Sequence, residues 1–236
     1  VDVAALIARF RVLAGDKGTP PLWADETVVD WLNEAEREAC IRAHLLEDDT
    51  TAAIVNITVV PGQFSYRLHP LVQDVKRLRI YYPAVDEAPA CYHKIDLDDE
   101  ETIRCKWDEK PNADGRPCAY AVFGDGDENA GRTLILDRVP SAPTTTLQMV
   151  VDRFPLQPMD PASGSDTPEI HPNHHPHLLE WALHLAYLTR DIEGSAAGRA
   201  SVHEQRFINA FGERPDANVR RKRLRHRATI CRPIPC

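Results

Sequence analysis

The chain has 236 residues, 43% of them hydrophobic and 27% charged, enough for one large domain or two small ones with a substantial core. This composition excludes a disordered chain, and no apolar run approaches the length of a membrane span. The net charge of −8 is unevenly spread: from Arg214 onward there are eight Lys+Arg against one acid, a net of +7, which leaves −15 on the rest. An acidic body with a basic tail points to an interaction protein. The first residues lack a basic-then-apolar signal pattern, so the expected location is the cytoplasm of the producing cell.

In chain order, Val3 to Leu13 presents a broad apolar face and predicts a first helix, ended by Gly15, Gly18, Pro20 and Pro21. A second helix opens at Asp25, taken as its N-cap, with Glu26 and Asp30 favourably placed near the positive end. Val28, Leu32, Ala35, Ala39 and Ala43 form its apolar stripe, bordered by Trp31. Glu34, Glu36, Arg37, Glu38 and Arg42 fill the other face. The acidic run Glu47-Asp48-Asp49 closes the element.

The texture then turns to β. Ala53 to Val60 is β-branched and predicts a strand. After the Pro61-Gly62 turn, Phe64 to Leu68 alternates as a half-buried strand does. Val75 to Tyr82 sets Val75, Arg77, Arg79 and Tyr81 on one face against Lys76, Leu78, Ile80 and Tyr82 on the other. Ala90 to Ile95, Tyr120 to Phe123, Thr133 to Leu136 and Thr145 to Val151 are further strands. Asp98 to Trp107 predicts one or two helical turns, and Asn112 to Pro117 a loop. Strands this closely spaced suggest a small sandwich or barrel.

Pro155 to Pro172 reads as a Pro/Asp/Ser-rich connector. A helix follows with Pro176 in its first turn and Leu178, Leu179, Trp181, Ala182, Leu185, Ala186 and Leu188 around it. His184 reads as a core or interface residue. Gly194 and Gly198 mark a break, Ala200 to Phe211 is a last helix, and Gly212 its C-cap. The predicted fold is α+β: a helical bundle from the N- and C-terminal helices (1–50 and 168–213), an inserted all-β, sandwich- or barrel-like module (51–167), and an extended basic C-terminal arm (214–236).

Motifs for chemistry are sparse. There is no phosphate loop and no G-x-G-x-x-G. Gly124-Asp125-Gly126-Asp127 lacks the remaining ligands of a calcium loop. His171, His174, His175 and His177 lie close enough in sequence to suggest zinc or nickel, but Pro172 and Pro176 interrupt them, and the plainer reading is a loop and helix start. Asp98, Asp99, Glu100 and Glu101 read as a solvated helix start. Cys40, Cys91, Cys105, Cys118, Cys231 and Cys236 form no C-x-x-C pair and read as free, mostly buried thiols. No catalytic residue, metal or cofactor is predicted. The R-R-K-R-L-R-H-R tail has no aromatic for base stacking. It admits three readings: non-specific DNA binding, a solvated terminus, or an arm that enters an acidic pocket of a partner.

Four segments, in order and spacing, resemble the head-to-tail adaptor (connector) proteins of tailed phages. They are L-W-A-D-E-T-V-V-D-W-L-N-E-A-E-R-E-A (Leu22 to Ala39); I-T-V-V-P-G-Q-F-S-Y-R-L-H-P (Ile57 to Pro70) with V-K-R-L-R-I after it; the region of Trp107 and G-R-P-C-A-Y (Gly115 to Tyr120) with L-I-L-D-R-V-P (Leu134 to Pro140); and P-E-I-H-P-N-H-H-P-H-L-L-E-W-A-L-H-L-A-Y (Pro168 to Tyr187) with F-I-N-A-F-G (Phe207 to Gly212). The resemblance implies a non-enzymatic virion protein at the head–tail interface, assembled in the host cytoplasm. It implies a helical core with an inserted β module and a ring, usually a dodecamer, under the portal. Its partners are then the portal protein, a tail or nozzle protein, further copies of itself, and DNA passing through the lumen without specific binding. Position and charge assign portal contact to Arg220, Arg221, Lys222, Arg223, Arg225 and Arg227. Lateral ring contacts are expected from the helices and tail contacts from the β-module loops. The alternative is a nucleic-acid-binding protein acting through the same arginine-rich tail.

Overall fold

A computed structural model describes residues 1–84, 90–109, 115–124, 132–140, 145–189 and 195–215. Its helices are α1 (Val3–Ala14), α2 (Asp25–Ala43), α3 (Ala52–Val55), α4 (Glu100–Glu109), α5 (His175–Thr189) and α6 (Ser195–Phe211). Its strands are β1 (Glu47–Asp48), β2 (Asn56–Thr58), β3 (Ser65–Arg67), β4 (Val72–Tyr82), β5 (Cys91–Leu97), β6 (Ala119–Phe123), β7 (Thr133–Leu136) and β8 (Thr146–Arg153). The described chain separates into a helical unit, Val1–Leu46 with Phe154–Pro215, and a β unit, Glu47–Arg153.

In the helical unit, Asp2 caps α1 by accepting the Ala5 N–H at 2.8 Å, and Gly15 ends it in the left-handed region at φ 71°. The expected cap of α2 is one residue out. Ala24 occupies the cap without a side-chain bond, and Asp25 is inside the helix, paired with Arg11. Arg11 also holds Asp16 at 2.7 Å and the Trp23 carbonyl at 3.1 Å, so its geometry diverts Asp25 from capping. Val28, Val29, Leu32, Ala35 and Ala39 are fully buried with Leu6 and Phe10 of α1, Leu178, Ala182 and Leu183 of α5, and Phe207 of α6. A 3-10 turn, Pro172–His174, leads into α5. α6 runs through Gly198, so the expected break there is absent; Gly194 lies outside the described residues.

The segment expected as a loose connector within the β module, 155–167, belongs to the helical unit. Met159 and Ile170 enter the helical core. The Asn33 amide both donates to the Met159 carbonyl (3.1 Å) and accepts its N–H (2.8 Å). The insert therefore runs from Glu47 to Arg153 among the described residues, against 51–167 expected.

In the β unit, eight strands join in the order β1-β8-β4-β5-β6-β7-β3, with β2 also on β8. Every pair is antiparallel except β5–β6, which α4 connects. One core takes residues from both ends of this order, Leu147 and Val151 of β8 with Leu134 and Leu136 of β7 and Tyr66 of β3. The sheet therefore curls around it. The Tyr120 hydroxyl of β6 donates to the Val75 carbonyl of β4 across this core at 3.3 Å. On the outer face of β6 and β7, α4 packs Ile103 against Ala119, Ala121 and Ile135.

Three local expectations change here. Ala53 to Val60 is a helical turn, α3, followed by the short β2, because the preceding backbone is held by Asp48 and buries Ile54 and Val55. Glu47-Asp48 is a strand, with Asp48 buried. In β4, register shifts between Val72 and Asp74 and between Val75 and Arg77 break the strict alternation, and Val75 joins Leu78 and Ile80 in the core. Of the described cysteines, Cys40 is buried, Cys91 half-buried, and Cys105 and Cys118 exposed, so burial of most thiols does not hold; Cys231 and Cys236 lie outside the described residues.

Candidate functional site

The best-organised polar site in the helical unit lies where the chain leaves α6. Gly212, at φ 84°, ends the helix with its N–H on the Ile208 carbonyl at 2.7 Å. The next carbonyl oxygen, that of Gly212 itself, accepts from Arg42 Nη1 at 3.2 Å. The Arg42 guanidinium lies over the rings of Trp181 and Phe207, each at 5.1 Å, and its Nε donates to Glu38 at 2.8 Å. Both side chains of that ion pair are nearly excluded from solvent, at 5% and 7% exposure. The other Glu38 oxygen lies 3.7 Å from Arg214, the first residue of the basic segment. A cation clamped between two aromatics and a carboxylate thus holds the backbone at Gly212, where α6 ends. Glu38 and Arg42 had read as part of the face away from the apolar stripe. Their i,i+4 spacing was the available signal, but nothing in the sequence brought Trp181 and Phe207 over them.

A second buried acid, Glu36, had read as part of the same polar face. One of its oxygens accepts the N–H groups of Glu169 (2.6 Å) and Ile170 (3.1 Å), locking the connector onto α2. Burial pushes its pKa up, and the two backbone bonds only partly offset that.

The histidine segment serves the fold. His175 is buried and donates from Nε2 to the Ile170 carbonyl at 2.8 Å. His171 caps the 3-10 turn, accepting from Asn173 N–H. His174 and His177 both pack on Phe211. Burial and the neighbouring imidazoles His177, His171 and His175 hold His174 below its ordinary pKa. Among the described residues no group of three or more His, Cys, Asp or Glu is arranged to hold a metal ion. His184 is a core residue, its Nδ1–H on the Ala200 carbonyl at 2.9 Å and its ring against Trp181.

In the β unit, Asp48 and Arg153 meet at 2.6 Å where the chain enters and leaves the unit, both almost fully buried. Lys76 bridges Glu47 and Asp152 beside them, at 2.7 and 2.8 Å. Asp137 accepts the N–H groups of Cys118 and Ala119. Trp107 donates to the Leu136 carbonyl at 2.9 Å and lies on Phe64 with ring centres 4.2 Å apart. The run Asp98–Glu101 opens α4, where Asp99 accepts the Thr102 N–H at 3.2 Å.

Compared with protein families, residues 1–230 match the model of the SU10 adaptor protein. The chain belongs to that family. It is therefore a phage head-to-tail adaptor, a structural component of the virion that works with portal and tail components. A search of curated proteins found no match. No helix among the described residues of this SU10-family adaptor is long and apolar enough to cross a membrane. Its arm residues Arg220, Arg221, Lys222, Arg223, Arg225 and Arg227 lie outside the described residues, as does Asp125 to Asp127 of the Gly/Asp-rich turn. What the structure shows of the arm is its root.

Proposed function

We propose that this adaptor assembles as a ring beneath the portal, docks on it through the basic arm Arg220 to Arg227, and offers its outer end to the tail. The observation that carries this reading is the family match over nearly the whole chain. The clamped arm root supports it: an arm that must find a pocket gains from a fixed point of departure, because less freedom is lost on docking. The charge division supports it too. A basic arm steers toward an acidic surface, whereas an acidic body gives passing phosphates no counter-charge to hold them.

Electron microscopy of the portal ring mixed with the full chain, or with a chain cut after Pro215, tests this. A ring capping the portal with the full chain alone is the expected result. No ring with either form defeats the proposal, and tail-dependent, salt-sensitive DNA binding would then take its place.

A further inference from the structure

On the outer face of the curled sheet α4 covers β6 and β7, whereas that face of β5, β4 and β8 includes the exposed Tyr92, Lys94, Arg77 and Arg79. Their register pairs Arg77 with Val150, Arg79 with Gln148 and Lys94, and Tyr81 with Thr146 and Tyr92, so all of these side chains share one face. The face is preorganised. The Arg79 guanidinium sits 4.6 Å over the Tyr92 ring and donates to Gln148 at 3.1 Å, and the Tyr81 and Tyr92 ring centres are 4.9 Å apart. Yet it is open to solvent: Arg77 and Arg79 are exposed, and Tyr92 is 54% exposed. Residues 47–153 carry nineteen acids against twelve bases, so three cations and two tyrosines with only Asp96 as an acid beside them on β5 stand out from an acidic unit. Arginine and tyrosine are also the side chains that dominate protein contact surfaces.

The helical unit carries the matching feature. Glu26, Asp30 and Glu34 lie four residues apart along the exposed side of α2. Like charges at that spacing disfavour an isolated helix. Among the described residues neither Glu26 nor Asp30 has an ion-pair partner, and Glu34 accepts only the Trp181 N–H at 3.2 Å. The carboxylates repeat every ~6 Å along the helix axis. Arg77, Arg79 and Tyr81 repeat every ~6.7 Å along the strand. The two arginines of this row match two of the carboxylates in sign and spacing.

Resting on the ring reading above, we infer that the Arg77–Arg79–Lys94 face, with Tyr81 and Tyr92, receives the Glu26–Asp30–Glu34 row of a second copy of this chain. The contact is heterologous, acidic helix on basic sheet, and so it propagates from copy to copy around a ring. Nucleic acid is the weaker occupant, because a phosphate backbone would run on past these few cations over an acidic unit.

The test is portal capping by four full-length chains: wild type, R77E/R79E, E26K/D30K, and all four changes together. All sites are exposed, so each chain is expected to fold. Each pair of reversals raises the protein concentration needed for half-occupied rings by about tenfold or more, and the combined swap restores most of the loss. Restoration is the decisive result, since misfolding cannot produce it. Normal rings from both reversal pairs overturn this contact and leave the ring reading intact. No restoration in the combined chain also overturns it. Failure of wild type to cap the portal removes the ring reading and this contact with it. Loss of DNA binding in R77E/R79E, with capping unchanged, assigns the face to nucleic acid instead.

Discussion

Replacing Asp48 tests how the β unit is closed. One Asp48 oxygen accepts from Thr50 N–H (2.9 Å), Thr51 N–H (2.9 Å) and the Thr50 hydroxyl (3.2 Å), while the other meets Arg153 Nε at 2.6 Å. The pair ties the entering strand to the leaving one. Asp48→Ala removes a buried charge from beside a buried guanidinium and leaves two backbone N–H groups unmatched. Breaking a buried pair in this way costs ~3–5 kcal/mol, a large part of the ~5–15 kcal/mol that holds a domain folded. Asp48→Asn keeps an oxygen for the threonine amides and loses only the charge, costing about 1.5–3 kcal/mol. Urea unfolding gives the totals, and hydrogen exchange of β1 and β8 peptides places the loss in the β unit. A cost below about 1 kcal/mol for Asp48→Ala, or equal costs for the two variants, would refute the reasoning. So would additivity of Asp48→Ala with Arg153→Met, because contacting partners must couple.

The pH dependence of the same site has a fixed sign. Burial opposes ionisation of Asp48, but bonds from Thr51, Thr50 and Arg153 outweigh it and hold its pKa well below the carboxylate range. Its stabilisation is thus complete above about pH 4 and is lost as pH falls below that, which acid titration of Asp48→Asn against wild type measures. Glu36 runs the other way, since its pKa is raised: its contribution weakens as pH rises past about 4.3. Glu36→Gln, which keeps the acceptor, is expected to be neutral or stabilising at pH 7, and Glu36→Ala to cost about 1–3 kcal/mol by thermal unfolding. Arg42→Met is expected to cost about 1–3 kcal/mol and to speed proteolysis after Gly212, because the carbonyl bond and both ring contacts are lost. Gly212→Ala has open space for its methyl group but sits at φ 84°, so a loss of ~1 kcal/mol from backbone strain alone is expected in the same melts.

Periodicity was a good guide wherever one face met one core. The stripe Val28, Leu32, Ala35 and Ala39, the α5 positions Leu178, Leu179, Ala182 and Ala186, and the strands at Tyr120, Thr133 and Thr145 are where their hydrophobic spacing put them, whereas Leu188 of α5 is exposed. It failed where a polar side chain organised the backbone. Asp48 looked like part of an acidic run that closes α2, yet its bonds to Thr50 and Thr51 turn Ala52–Val55 into a helix within a β-branched stretch. Glu36 and Glu38 sit at polar positions of the helical wheel, and they are interior because Glu36 meets the Glu169 backbone 133 residues away and Glu38 pairs with Arg42 beneath Trp181 and Phe207. The β4 bulges are equally silent, because a two-residue period carries no mark of the inserted residue. The family, by contrast, was legible as an order of segments, each of little weight alone.

The misread charges have a common position. Asp48 with Arg153 stands where the chain enters and leaves the β unit, Glu36 holds the connector that follows it, and Arg42 with Glu38 holds the root of the basic arm. Each of these is a place where the backbone departs from a packed element. Hydrophobic burial is non-directional and would leave the angle of departure loosely set. A charge-assisted bond to a named backbone group fixes that angle, at a desolvation cost that a purely apolar contact would avoid. A structural adaptor works by presenting surfaces to other proteins at defined angles, so stability spent on directional clamps at these three roots is consistent with what its family does. The same reasoning separates the roles of the charges by burial: the buried ones set geometry inside the chain, while the exposed rows on α2 and on the β4–β5 face remain for contacts outside it.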